Sequence, residues 1–362
     1  MRILFSTLYS SQIASSRYRV YQYLPFLKTE GIEFNIYPFY SDTYYRLREN
    51  RLIQSCLLFS RLFDKFFLIW ANLKRFFNIV MAFKYDVVFI QKELMPVVLI
   101  KLLKCINSNI IFDLDDAIFL PEEKQRNYIG RVIRWRSHIK VPRMLNASKK
   151  VVVGNNYLKD YCLKFNANVS VLPIAIDLQR YFVKNKAHQE NLVIGWVGSP
   201  ATVFCLEILN DVFKTLCRRY PFLTIMLIGA DTYVKPDDVN LVKRRWNYET
   251  EVNDLQRFDI GIMPMSKDEF TSGKGGCKLL QYMAVGVPSV ASPVGINCEI
   301  LEDGVNGFFA DNANEWIEKI SLLAEDKKLR ENMGRKARET ILKRYSLKAA
   351  APQFIRIIKE TK

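Results

Sequence analysis

The sequence predicts an α/β protein built from two doubly wound, Rossmann-like domains, with a C-terminal helix that returns to the first. Three observations carry this. The chain has 362 residues, too many for one ordinary core and enough for two. It opens with a strand–helix–strand pattern, Ile3–Leu8 to Ile32–Pro38. The same kind of pattern restarts at Leu192–Val197, where an apolar run enters the turn Gly198-Ser199-Pro200-Ala201-Thr202. These place the first domain at 1–172, a linker at 173–190, the second domain at 191–345, and the returning helix at 346–362.

Composition narrows the class. Hydrophobic residues make up 49% and charged residues 25%, a globular balance. Seven cysteines without framework spacing point to reduced thiols and a cytoplasmic protein. Two histidines, His138 and His188, and no CxxC pair argue against a structural zinc, and no metal site is assigned. The N-terminus leads directly into a strand, so no signal peptide is expected. Charges interrupt every long apolar run, so no membrane-spanning helix is expected either. Of the net charge of +16, residues 1–150 carry +12 and the remainder +4. That asymmetry calls for an anionic partner: a phosphorylated substrate, an anionic membrane surface or nucleic acid. No nucleic-acid module is present, so nucleic acid is set aside.

Along the first domain, the loop after Ile3–Leu8 carries Ser16, Arg17 and Arg19 at the carboxyl end of a strand, where open α/β sheets place ligands. A helix over 18–30 should end at Gly31, with a bend at Pro25. Residues 44–85 hold neither proline nor glycine and alternate apolar stripes with Arg and Lys. One or two helices are expected there, either a core pair with a solvated basic face or an amphipathic segment resting on anionic lipid. Strands at Asp86–Ile90 and Asn109–Phe112 are each followed by polar residues. After the first comes Glu93, either a cleft residue or an ion-pair partner. After the second come Asp113, Asp115 and Asp116, either a divalent-cation site or a helix cap. Residues 122–143 form a basic helical region, and Lys150–Gly154 and Val169–Leu172 complete the strands.

In the second domain, strands are expected at Leu223–Ile228 and Asp259–Met263, a long helical stretch at 314–345, and a last helix at 346–360. Trp246 reads as core. The stretch Thr271–Asn297 draws most attention. Ser272-Gly273-Lys274-Gly275-Gly276 is a flexible turn, Cys277–Val285 a short helix, and Ser289–Ser292 a strand. A glycine-rich loop entering a helix presents backbone N–H groups to an anion, and two lysines add point charge. No GxGxxG dinucleotide fingerprint is present.

This stretch, continued to Phe309, resembles the nucleotide-sugar site of family 4 glycosyltransferases of the GT-B fold. The matching positions are Met283, Ala284, Gly286, Pro288, Ala291, Ser292, Gly295, Glu299, Asp303, Gly304 and Gly307. The resemblance implies two Rossmann-like domains facing across a cleft. It also implies transfer of a sugar from a nucleoside-diphosphate sugar of UDP or GDP type, with retention, to a saccharide or lipid-linked saccharide in cell-surface polysaccharide or glycolipid synthesis. No further cofactor is required. A peripheral position on the inner face of the membrane would suit the basic first domain. Two departures stand out: Gly273 and Gln281 occupy the places of the family's paired glutamates, and the 198–202 turn lacks its Arg and Lys. Lys274 and Lys278 are the replacements for the donor diphosphate, joined by Gly198, Ser199 and Thr202, with Gln281 as a ribose contact. Ser199 and Thr202 would serve equally as a helix cap. Asp115 and Asp116 are the catalytic candidates, as general base or as stabilisers of positive charge on the sugar. Ser16, Arg17, Arg19 and Glu93 would line the acceptor side. A non-catalytic nucleotide-sugar-binding protein is the alternative.

Overall fold

A computed structural model describes residues 1–48, 57–120, 128–183 and 191–362. The chain forms two compact units, Met1–Pro173 together with Ala351–Lys362, and Ile174–Ala350.

Unit 1 is a six-stranded, wholly parallel sheet. Its strands are β1 (Arg2–Tyr9), β2 (Glu33–Tyr40), β3 (Val87–Gln91), β4 (Ile110–Leu114), β5 (Lys150–Val153) and β6 (Val169–Val171), in the order β2-β1-β3-β4-β5-β6. The order reverses between β1 and β3, so the loops after these two strands mark the switch point where such sheets bind ligands. β3 and β4 are buried along their whole length, as an apolar run in a sheet covered on both faces requires. The last helix, Leu347–Thr361, contributes Phe354 to this unit, stacked on Tyr23 at 4.3 Å and tilted on Phe89 at 5.5 Å.

Several expectations change in detail. The helix expected over 18–30 is two short ones, Ala14–Arg19 and Leu24–Thr29, separated by a 3₁₀ turn, and Pro25 starts the second instead of bending one. Gly31 does close it with φ +66°. Asp113 lies within β4, not beyond it, because Arg19 neutralises it in the interior. Within 44–85 a short helix, Asp42–Arg48, precedes a long one, Leu57–Val80, ending in a 3₁₀ turn; residues 49–56 lie outside the described ones. From 66 to 83 the only charges are Lys74 and Arg75. Leu62–Lys84, 23 residues of mean hydropathy 1.3, is therefore long and apolar enough to cross a membrane by composition, contrary to the expectation of no such helix. The basic residues Lys124 and Arg126 and much of the expected linker, 184–190 with His188, also lie outside the described residues.

Unit 2 repeats the architecture with β7 (Leu192–Val197), β8 (Leu223–Ile228), β9 (Leu241–Arg244), β10 (Ile260–Met263), β11 (Ser289–Ala291) and β12 (Phe308–Phe309), in the order β12-β11-β10-β7-β8-β9, all parallel. Its switch point falls between β7 and β10. The helix expected from the 198–202 turn to Tyr220 begins as a 3₁₀ stretch, Pro200–Leu209, and becomes α-helical at Asn210–Arg219. The stretch 314–345 divides at Asp326, whose carboxylate caps the second helix through Leu329 N–H at 2.9 Å.

Candidate functional site

In unit 2 the site begins with two close approaches at the switch point. A Cβ on Gly261 of β10 would come within 2.6 Å of the Tyr282 ring, so glycine there lets helix Cys277–Ala284 settle onto the sheet. Tyr282 is fully buried, and its hydroxyl accepts from Val197 N–H at 2.9 Å, fastening the helix to the end of β7. One helical turn earlier, Lys278 lies over Gly198: a Cβ at 198 would come within 2.9 Å of the Lys278 Cε. The Lys278 ammonium sits 5.4 Å from the centroid of Trp196, and Lys274 sits 4.0 Å from that of Phe270. Gly276, with φ +68°, delivers the chain into the helix, and no side chain caps that end. Gly198 and the two lysines are thus held at the carboxyl ends of β7 and β10, around an uncapped helix N-terminus that favours an anion. Ser199 and Thr202 close the adjoining turn: Thr202 Oγ1 donates to Ser199 O at 3.1 Å and accepts from Ser199 N–H at 3.4 Å. The cap is observed.

Gln281 turns inward. It is buried, and its amide donates to Tyr181 Oη at 3.0 Å and to Glu251 Oε1 at 3.1 Å. Glu251, also buried, accepts in addition from Tyr181 Oη–H at 2.6 Å and Trp246 Nε1–H at 2.8 Å. Arg180 approaches it at 3.8 Å and lies 3.6 Å over the Tyr248 ring. Position 281 therefore lies directly beside the carboxylate of Glu251. Nothing in the residue pattern signals this, since an acid in the first turn of a short helix ordinarily faces water. Trp246 is half-buried and tied to the same carboxylate. Glu251→Ala should remove the acceptor that three donors share and lower stability by about 2–4 kcal/mol. Glu251→Gln should recover part of it, and chemical denaturation of the two variants measures the difference.

In unit 1 the loops after β1, β3 and β4 bring the other candidates to one edge. Ser16 is buried; its hydroxyl accepts from Tyr9 N–H at 3.2 Å and donates to Gln91 Oε1 at 2.7 Å. Arg19 and Asp113 form a bidentate ion pair, each 1% exposed, and Arg19 also donates to Leu172 O. Burial opposes the Arg19 charge, but the Asp113 carboxylate outweighs it and raises the pKa. These two residues hold the loop and the strand together and are structural. Arg17 stays at the surface, donating to Gln12 O at 3.1 Å and lying over the Tyr18 ring.

Glu93 is an ion-pair partner: buried, it accepts from Arg75 Nε–H at 2.6 Å and from the Ser6 hydroxyl. The remaining aspartates pair with a residue that sequence reasoning passed over. Lys92 follows β3 in a left-handed conformation, φ +57°, unusual for a side chain of its size. Its ammonium contacts Asp116 and lies 3.3 Å from Asp115. Asp115 also accepts from the Ser15 hydroxyl. Burial alone would lower the Lys92 pKa; the two carboxylates raise it instead, so the lysine stays charged. Asp113 answers Arg19, and Asp115 and Asp116 answer Lys92.

Residues 181–340 match the family described as glycosyl transferases group 1. A curated relative, trehalose synthase from Pyrococcus horikoshii, is 25% identical over 166 residues, 41% of this chain and 39% of the relative, so the chain spans well under half the length of that protein. Solved structures match over 99% of the chain. They include a glycosyltransferase from Rickettsia africae (98% of that chain covered, 15% identity, TM-score 0.69). Sucrose-phosphate synthase from Thermosynechococcus elongatus is similar (98% covered, 13% identity, TM-score 0.68). So is Anabaena HepE in complex with UDP-glucose (100% covered, 16% identity, TM-score 0.66). The fold of the chain is GT-B.

Proposed function

From the premise that residues 181–340 form a glycosyl transferases group 1 domain, we propose that the protein is a glycosyltransferase that takes its sugar from a nucleoside-diphosphate donor. The observation that carries this is the seat at the unit 2 switch point. Gly198, Lys274, Lys278 and the uncapped helix N-terminus gather positive potential where a doubly wound sheet receives its ligand. As the sugar–phosphate bond breaks, negative charge grows on the departing diphosphate. The two ammonium groups and the helix dipole, in this reading, stabilise that charge. In this reading Gln281 and Glu251 shape the nucleoside end from below. The carboxylates of Asp115 and Asp116, paired with Lys92, steady positive charge or orient an acceptor hydroxyl.

The donor class is UDP or GDP type, the outcome retaining, and the acceptor a saccharide or lipid-linked saccharide of a cell-surface polysaccharide or glycolipid. The support is the resemblance of the 283–307 stretch together with the similarity to a UDP-glucose-bound structure. One observation favours the alternative of a binding protein without catalysis: neither 273 nor 281 is a glutamate, and Gln281 is occupied internally. A thermal-shift panel of UDP-, GDP-, ADP- and TDP-sugars tests the donor class. Stabilisation by one nucleotide series is expected, and a flat response across the panel would refute it.

A further inference from the structure

We propose that helix Leu57–Val80 of unit 1, with the turn that follows it, lies flat on an anionic bilayer and seats the protein there. This rests on the helix alone and stands whether or not the transferase reading does. One stripe of the helix belongs to the protein. Phe67, Ala71, Arg75 and Ile79, every fourth residue, are buried, and Arg75 is locked to Glu93 beyond β3. Among the described residues, no protein covers the opposite stripe. Leu62, Phe66, Ile69, Leu73, Phe77 and Val80 recur at helical spacing and are all exposed, Phe66 by 71% and Phe77 by 66%. A contiguous apolar face of this length is rare on a monomer's surface and marks an interface.

Three features select the occupant. Of the charged residues in 57–84, five are basic (Arg61, Lys65, Lys74, Arg75 and Lys84) and one, Asp64, is acidic. By helical geometry Lys65 and Lys74 fall roughly 80–100° to either side of the apolar stripe, the positions from which a lysine reaches headgroups while its stem lies along the apolar face. The net +12 of residues 1–150 attracts an anionic surface and repels a second copy of the same unit. Arg75 and its buried neighbours fix the helix along the domain, so it lies in the interfacial plane and does not span, although its length and hydropathy would permit spanning. Phe67 also packs 5.7 Å from Tyr40, at the end of β2, so docking would bring the carboxyl edge of this sheet toward the lipid surface.

The test is co-sedimentation of the full chain with phosphatidylcholine vesicles, with and without phosphatidylglycerol, at low and physiological salt. Quenching of Trp70 by brominated lipid is read in parallel, with Trp70→Phe as its control. Binding to the anionic vesicles, weakened by salt, is expected. Phe66→Ser/Phe77→Ser should reduce it by about tenfold or more, and Lys65→Glu/Lys74→Glu should remove the preference for phosphatidylglycerol. Equal or absent binding to both vesicle types, or vesicle binding unchanged in the serine variant, would overturn the proposal. So would a wild-type dimer that the serine variant turns monomeric without vesicles, which would identify a second copy as the occupant. The nucleotide-sugar thermal shift of the same variants reports on unit 2 separately, so loss of docking and failure of the transferase reading are distinguishable.

Discussion

Lys278→Ala should lower turnover of the nucleotide-sugar by about 10²–10³-fold, the loss typical of one group aimed at developing oxyanion charge. The protein should stay folded. Lys278 is half-buried, and its stem leans on Gly198 and Trp196 from one side without filling the core. Tyr282, not Lys278, fastens this helix to β7. The melting temperature should therefore move little while kcat collapses. Lys274→Ala should have a smaller effect, because Lys274 lies in the loop before the helix, over Phe270. Steady-state kinetics with the donor found by the thermal-shift panel, alongside melting curves, separate the two lysines. Lys278→Arg is the informative conservative change. It keeps the charge but must fit a planar fork into the space above Gly198, so partial recovery is expected.

Arg19→Met should unfold unit 1 or come close to it. Arg19 and Asp113 are each 1% exposed, and removing one partner strands the other charge in the interior, at a cost of about 3–5 kcal/mol. The double variant Arg19→Met/Asp113→Leu should recover most of that loss, since an apolar pair of similar volume carries no unpaired charge. Leu172 O would still lack the donor that Arg19 provides, so recovery should be incomplete. Urea denaturation of the single and double variants gives the coupling directly. Recovery in the double variant would confirm that this pair serves architecture. Loss of activity in a stably folded double variant would instead return Arg19 to the acceptor side.

The fold was legible because its signals are local and periodic. Leu192–Val197 and Leu223–Ile228 read as strands from their apolar runs, and the structure gives them the same limits. β9 and β12 escaped notice: Leu241–Arg244 is four residues long, half of them charged, at a sheet edge, and Phe308–Phe309 is two residues long. The donor side was partly legible. Glycines and lysines at 198 and 274–278 suggest an anion seat by type and order, and of these the structure brings Gly198 and Lys278 together.

What the sequence could not show is which charges meet. Glu93 and Arg75 are 18 residues apart, Arg19 and Asp113 are 94 apart, and Glu251 meets Gln281 across 30. No spacing rule links such pairs, and three aspartates in four residues look alike until their partners are seen. Lys92 was hidden for another reason: only a left-handed backbone turns it toward Asp115 and Asp116, and nothing in Gln91-Lys92-Glu93 forecasts that conformation. For the long helix, composition left two readings open, and the exposed apolar stripe opposite a buried one is the observation on which the lipid-docking proposal rests.

The central claim is that the 198/274/278 seat holds a donor diphosphate and lets it leave. The most direct measurement is release of nucleoside diphosphate from UDP-, GDP-, ADP- and TDP-sugars by the wild-type chain and by Lys274→Ala/Lys278→Ala, with and without saccharide acceptors. Release from one nucleotide series by the wild type is expected, and its loss in the folded double variant. Release that survives in the double variant, or binding without release under every acceptor condition, would contradict it.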